Sequence, residues 1–330
     1  MKSIQLHLTA DRLYHSPNNL KSAIRIAKTP SIVFEWKEFI SKIYERCKRE
    51  QNITFKFNTE VLGPIYSDEN GACNGVFTNN ERYYAQSVIA ANGHSSTIGN
   101  SLGVKYDSTM NLPIVKCLIS GFKSDYSGFE YFFFVENQFS EYPNYPSGVA
   151  FIFPRNDDHC EIGFMLFTHI SPTSLKNNEI FDSDLMKFWS FLKTNLPGFS
   201  ERVKNTKTEF EMSTRLPNAS LIEQIMQRPG LFIIGDAAGM VEASGGSGLV
   251  AGIKASKLVA EIIELQGTLP WDENSKKRAN NLIKNSVVYK KLKKNYTLIG
   301  KFQRYLFGKL KTTEKINKRW KIVQIAYKLI

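Results

Sequence analysis

LFIIGDAAGMVEASGGSGL, residues 231–249, is the stretch on which the reading of this chain turns. Leu231–Ile234 is a short apolar run of the kind that forms a buried strand. It ends in Gly235-Asp236 and passes through Ala237, Ala238 and Gly239. A second glycine cluster, Gly246, Ser247 and Gly248, follows before Leu249 opens a helical pattern. Small residues let a ligand approach the main chain, which a Cβ would obstruct. A helix N-terminus presents unpaired N–H groups and about half a positive charge, suited to phosphate or an electron-rich ring oxygen. Asp236, at the strand tip, is placed to accept hydrogen bonds from sugar hydroxyls. A tight strand-to-helix turn with no ligand has the same composition, so the residues alone leave both readings open.

Outward from this turn, Leu249, Ile253, Leu258, Val259, Ile262 and Ile263 continue the helix until Gly267 and Pro270 end it. Upstream, Trp36, Phe39, Ile40, Ile43, Tyr44 and Cys47 recur at helical spacing. Alternation predicts strands at Ile53–Phe57, Val61–Tyr66 and Cys73–Phe77, and Ser87–Ala91 is a buried-type strand delivering Asn92-Gly93. Between residues 112 and 168 the aromatic runs IVKCLISGF, FEYFFFVEN, GVAFIFP and CEIGFMLF predict an antiparallel sheet. A helix is expected over Asp182–Leu196.

The 330 residues are 42% hydrophobic and 22% charged, which excludes a disordered or collagen-like chain and supplies material for a large core. No run approaches the roughly 20 apolar residues of a spanning helix. The opening MKSIQLHLTADRLYHS lacks the layout of a signal peptide. Cys47, Cys73, Cys117 and Cys160 stand far apart with no CxxC pair, against a metal site or a disulfide framework. The expected location is cytoplasmic. Of 43 Lys/Arg and 31 Asp/Glu, Trp271–Ile330 holds 17 and 3, so the body is near neutral and the basicity belongs to a C-terminal region. There Leu282, Tyr289, Leu292, Tyr296, Ile299, Phe302, Leu306 and Leu310 form an apolar stripe over a basic face. Two readings stand: attachment to an anionic membrane surface, or a helical cap with a solvated basic side. Nucleic acid is disfavoured, since no zinc-finger spacing, RNP motif or stacking platform accompanies the charge.

Gly235-Asp236-Ala237-Ala238-Gly239, with Gly246 and Gly248 at the glycine turn, resembles the second flavin-binding motif of FAD-dependent oxidoreductases of the p-hydroxybenzoate hydroxylase-type fold. Within that fold it is most similar to the geranylgeranyl reductase family. The resemblance implies that Asp236 holds the ribityl chain of FAD. It also sets Gly246, Ser247, Gly248 and Leu249 near the flavin ring, with backbone N–H groups stabilising its reduced form. VIAANGHSSTIGNSLG, residues 88–103, is similar to the family's strand and turn beside the cofactor, with Asn92-Gly93 where the family has Asp-Gly. PSGVAFIFP, residues 146–154, has the spacing of its substrate-cavity motif, so Pro146, Val149, Phe151, Phe153 and Pro154 would line an apolar cavity. An ordinary core strand is the competing reading of that segment.

The implied fold is α/β (mixed α+β). An incomplete FAD-binding Rossmann-like domain (residues 1–105 and 205–270) would carry an inserted antiparallel-sheet substrate domain (106–204) and a basic helical C-terminal region (271–330). The implied activity is reduction of isoprenoid C=C bonds, recharged by NAD(P)H or a reductant protein. The alternatives are an FAD-dependent hydroxylase of the same fold and a flavin-free binding or membrane-associated remnant. The first 90 residues carry no GxGxxG, Trp36 stands at the family's Arg position, and Ala243 replaces a usual Pro. The expectations that follow are a mis-started reading frame, a unit supplied by a separate polypeptide, or loss of tight FAD binding. The strand Ser87–Ala91 would then carry an unpaired edge.

Overall fold

A computed structural model of the protein describes residues 6–94, 96–104, 111–123, 126, 128–155, 158–168, 179–217, 221–242, 246–310 and 312–322. The chain divides into two compact units. One comprises Met1–Phe55, Leu112–Arg215 and Phe302–Ile330, the other Lys56–Asn111 and Leu216–Lys301.

The first unit is built on a seven-stranded sheet. Its strands in chain order are β1 (Leu6–His15), β2 (Ser22–Phe34), β7 (Asn111–Ser120), β8 (Phe129–Phe134), β9 (Gly148–Pro154), β10 (Cys160–Leu166) and β11 (Lys207–Pro217), while β3–β6 belong to the other unit. In space they run β11-β7-β10-β9-β8-β1-β2, with β1 parallel to β8 and antiparallel ladders from β7 through β10 to β8. Side chains alternate between faces. Val115, Cys117, Ile119, Phe132, Phe134, Ala150, Ile152, Ile162 and Phe164 share one core cluster. Covering it are α3 (Asp182–Asn195) and α4 (Phe199–Val203), through Leu185, Phe188, Trp189, Leu192 and Phe199. The same strands are apolar on their other face, which explains why they read as near-continuous hydrophobic runs.

In the second unit β6 (Val88–Ala90) lies parallel to β13 (Leu231–Ile233), which pairs with β12 (Met226–Arg228). A separate antiparallel sheet joins β3 (Val61–Tyr66), β4 (Cys73–Thr78) and β5 (Arg82–Tyr84). Helices α5 (Leu249–Gln266), α6 (Glu273–Asn285) and α7 (Val287–Gln303) pack Val259, Ile262, Ala279, Ile283, Tyr289 and Leu292 onto the strand residues Leu231, Phe232 and Ile233. A reciprocal cap starts α6: Ser275 N donates to Asp272 Oδ1 (2.7 Å) and Asp272 N to Ser275 Oγ (2.8 Å). Buried Asn280 then takes both the Ile225 and Met226 N–H groups on its Oδ1, at 3.0 Å each. Satisfying two backbone donors at once fixes α6 to the strand beside it. Among the described strands β6 ends its sheet, and an apolar groove of about 460 Å³ lined by Val61, Val76, Val88 and Ile89 follows it.

Three expectations are corrected. Ile53–Phe57 alternates like a strand but forms none; Phe55 instead sets its ring edge-on against Tyr44 of α1 (Trp36–Cys47), 4.8 Å between centroids. Residues 1–55 fall with the large sheet rather than with the GDAAG turn, because β1 and β2 pair with each other and β1 with β8. The C-terminal region is not one appendage. Tyr289 and Leu292 complete the second unit's core, whereas Leu310 and, in α8 (Thr313–Lys318) and beyond, Ile316 and Trp320 are buried in the first. Trp320 packs edge-on against Phe133, 5.9 Å between ring centroids. Where described, most of the stripe is thus spent on protein packing, although Leu282 stays half exposed, and the side chains of Ile299, Phe302 and Leu306 lie outside the described residues. Among the described residues no helix is long and apolar enough to cross a membrane.

Candidate flavin site and aromatic wall

Parallel pairing of β6 and β13 brings their carboxyl ends side by side. The registers Val88–Leu231, Ile89–Phe232 and Ala90–Ile233 are extended by Ile234 N donating to Ala90 O at 3.0 Å. Both turns singled out in the sequence, Asn92-Gly93 and Gly235-Asp236, therefore leave the same edge of one sheet. This is the side on which open α/β sheets bind ligands.

Gly235–Ala238 forms a single 3-10 turn, closed by Met240 N donating to Gly235 O (3.0 Å). Gly235 takes φ +65°, a conformation that a side chain would strain. Ala237 and Ala238 are fully buried, and Ala238 O accepts from Ile222 N (3.1 Å), so the pair seats the turn on the core. Gly239 terminates the turn in the left-handed conformation. Asp236 is exposed, and among the described residues its carboxylate accepts no hydrogen bond. Its Oδ1 lies 2.6 Å from where a Cβ on Gly248 would sit. Positions 236 and 248, twelve apart in sequence, thus meet. Gly246 has φ +69°, and a Cβ there would run into Leu216. Gly246 N donates to Glu242 O and Glu242 N to Ser247 O, which folds the loop back before α5 begins. Ser247 is exposed, Leu249 is half-buried at the first position of α5, and that helix has no side-chain N-cap and no acid in its first turn. Its leading N–H groups remain available to a ligand.

Asn92 does something more local than the sequence suggests. Its Oδ1 accepts from Ser96 Oγ (2.8 Å), and Ser96 Oγ accepts from Gly99 N (2.8 Å) to cap α2 (Thr97–Ser101). Asn92 therefore shapes the entry to α2, while Gly93, at φ +80°, turns the chain. Its nearest surroundings are the turn itself.

The residues expected at the substrate lie in the first unit. Pro146 is buried just before β9 and Pro154 ends it. Val149, Phe151 and Phe153 share the face of β9 opposite to Ala150 and Ile152, which belong to the α3 side. Phe151 stacks on Phe153 (4.6 Å, 20°) and lies flat across β10, where Gly163 has no side chain to obstruct it. Tyr131 meets Phe153 edge-on (5.6 Å) and stacks on Tyr14 (5.0 Å), and Phe133 stacks on Tyr14 at 6.5 Å. Of the five motif positions, Val149, Phe151 and Phe153 are thus part of a larger, mostly aromatic wall, whereas Pro154 falls by alternation on the side of Ala150 and Ile152. Tyr14, Tyr131, Phe133 and Gly163 were not singled out from sequence, although the alternation in FEYFFF contains the signal for Tyr131 and Phe133.

Charge stands at one end of this wall. Glu161 is the cross-strand partner of Phe153, and Arg155 donates to Glu161 Oε2 (2.7 Å) and to Glu35 Oε1 (2.9 Å). Burial opposes the guanidinium's charge, but hydrogen bonding and attraction from Glu161 and then Glu35 outweigh it and raise the Arg155 pKa. On the opposite face a buried cluster went unnoticed in the sequence. His15 Nε2 is 3.1 Å from Glu130 Oε2, which also takes Arg202 at 3.3 Å, while the His15 ring stacks on Phe132 at 4.2 Å. All four cysteines are free, and among the described residues no group of His, Cys, Asp or Glu could hold a metal.

Solved flavoproteins share this fold. A geranylgeranyl bacteriochlorophyll reductase-like protein from Thermoplasma acidophilum superposes with a TM-score of 0.64 at 17% identity, over 94% of this chain and 79% of that one. A flavin-dependent brominase does so with 0.64 at 13% identity, over 98% and 77%. The pqsL protein of Pseudomonas aeruginosa, a probable FAD-dependent monooxygenase, gives 0.66 at 12% identity, over 96% and 83%. No curated protein sequence matches the chain. The architecture is that of an FAD-dependent oxidoreductase, monooxygenase-type fold. The chain belongs to the family of the FAD binding domain, whose model matches residues 18–267.

The cofactor is accordingly FAD, and the turn fits its flavin half. An exposed carboxylate without a hydrogen-bond partner among the described residues is held against a glycine cradle that a Cβ would fill. Asp236 would hold the ribityl hydroxyls, and the backbone of Gly246–Leu249 would face the ring. Gly248→Ala tests the cradle. Gly248 has φ −104° and ψ −23°, which alanine adopts freely, and the obstructing atom is the end of a side chain that can rotate away. The fold should keep its stability within about 1 kcal/mol. Displacing the carboxylate should lower FAD affinity about tenfold in a fluorescence titration, and undiminished affinity would mean that the cradle does not hold the cofactor.

Proposed function

We propose that the protein reduces carbon–carbon double bonds of an isoprenoid chain, or of a comparably apolar substrate. One observation carries this reading: the face bearing Val149, Phe151 and Phe153 is aromatic across neighbouring strands, with its ion pairs set at one end. Val149, Phe151, Phe133 and Tyr14 are buried within the protein, and Phe153 and Tyr131 are the partly exposed rings of the wall. On these a hydrocarbon would gain roughly 25 cal/mol per Å² buried, whereas a polar metabolite would leave its hydrogen-bonding groups unpaired. Reduced FAD, when bound, supplies a hydride. Asp236 would fix the cofactor through its ribityl chain, and the N–H groups opening α5 would stabilise negative charge on the reduced ring. The aromatic wall would exclude water from the alkene.

The test is a product analysis. Protein supplied with FAD, reduced with dithionite under nitrogen and given geranylgeraniol, should yield a product two hydrogens heavier by mass spectrometry. A product carrying an added oxygen, formed only in air with NAD(P)H, identifies a hydroxylase of the same fold instead. Absence of any product from protein with bound FAD refutes the assignment of an isoprenoid alcohol as substrate.

A further inference from the structure

We infer that a cleft between α6 and α7 is a binding site for a ligand carrying clustered phosphate charge. The cleft has a volume of about 610 Å³ and is lined by Lys284 from the last turn of α6, by Lys290, Lys293 and Lys294 of α7, and by Glu223. Four lysines and a single acid line it. Among the described residues, none of the four lysines makes an ion pair, whereas their neighbour Lys291 reaches Glu242 Oε1 at 3.2 Å. A carboxylate is therefore within reach of this helix, yet the cleft lysines are left to repel one another.

Their spacing turns this repulsion into a surface. Positions 290, 293 and 294 lie three and four apart on one side of α7, where like charges disfavour the helix. The helix is nevertheless held firmly. Tyr289 is buried, and its hydroxyl donates to Ile222 O (3.1 Å), while Ile222 N donates to Ala238 O (3.1 Å). The lysines thus project from a wall fixed to the GDAAG turn, and a cation cluster on a rigid wall loses little freedom when an anion arrives. Lys284 adds a charge where the carboxyl end of α6 already favours cations. Four lysines brought to one cleft by two helices suit a multiply charged phosphate better than a single carboxylate. This site is built wholly from the second unit and does not depend on the redox substrate.

The experiment uses the full chain and inorganic pyrophosphate. Calorimetric titration should show saturable, one-site binding beyond the response to sodium chloride of equal ionic strength. Replacing the three α7 lysines together (Lys290→Gln, Lys293→Gln, Lys294→Gln) should weaken it about a hundredfold, from roughly fivefold per ammonium. Replacing Lys37, Lys48 and Lys123 with Gln removes the same charge elsewhere and should leave the affinity unchanged. A non-saturable response, or an equal loss in both triple variants, overturns the site. Circular dichroism confirms that the variants fold. Phosphatidic acid vesicles then separate two sources of the same chemistry: displacement of bound pyrophosphate assigns a lipid headgroup, and its retention assigns a soluble phosphate.

Discussion

Asp236→Ala should lower FAD affinity between about tenfold and a hundredfold while leaving the stability of the chain within about 0.5 kcal/mol. The two effects separate because Asp236 is exposed and its carboxylate has no hydrogen-bond partner among the described residues. Removing it breaks no hydrogen bond among the described residues, and surface changes of this kind usually stay within about 0.5 kcal/mol. A hydrogen bond to a charged group contributes about 1.5–3 kcal/mol, and each 1.4 kcal/mol is a factor of ten in affinity. Asp236→Asn retains an acceptor oxygen and loses the charge, so it should fall between wild type and alanine. Because Gly248→Ala acts by displacing the same carboxylate, the double variant Asp236→Ala/Gly248→Ala should be no weaker than the worse single one. Additive losses would mean that the two positions serve FAD separately. Flavin fluorescence titrations of the four proteins decide it, and equal affinity of wild type and Asp236→Ala would remove Asp236 from the cofactor site.

The turn was legible in the sequence because its requirements are local. A four-residue apolar run, an acid and glycines that must admit close approach are written consecutively from Leu231 to Gly248. The strands of the large sheet from β7 to β10 were legible for a similar reason, since burial on both faces demands long apolar and aromatic runs. The membership of β1 and β2 was not, because strand preference depends on a partner elsewhere in the chain; β1 finds β8 more than a hundred residues away. The opposite error occurred at Ile53–Phe57, where alternation promised a strand and no partner exists among the described residues. An apolar stripe at helical spacing looks the same whether it faces lipid or protein. Only the burial of Tyr289, Leu292 and Leu310 decides between the two at those positions. His15 and Glu130 lie 115 residues apart, with no pattern in either segment to announce the pair.

Trp189→Ala should destabilise the first unit by about 3–5 kcal/mol, more than any other single change considered. Trp189 is fully buried in α3 between Phe164 (5.9 Å, 25°) and Phe199 (5.8 Å). A buried Trp covers roughly 150–250 Å², and the cavity it leaves cannot collapse against strands pinned on both sides by their ladders. Its indole N–H donates to Glu211 Oε2 (3.2 Å), and Lys193 Nζ sits 5.2 Å above the ring centroid, so polar contacts are lost as well. Trp189→Phe keeps most of the packing and forfeits the hydrogen bond, so about 1–2 kcal/mol is expected. Urea unfolding followed by circular dichroism reads both variants. FAD affinity is the informative control: Asp236 and Gly248 belong to the other unit, so the Trp189→Ala chain, while folded, should bind FAD as the wild type does. A loss below 1 kcal/mol for Trp189→Ala would show that α3 is not seated on the sheet through this side chain.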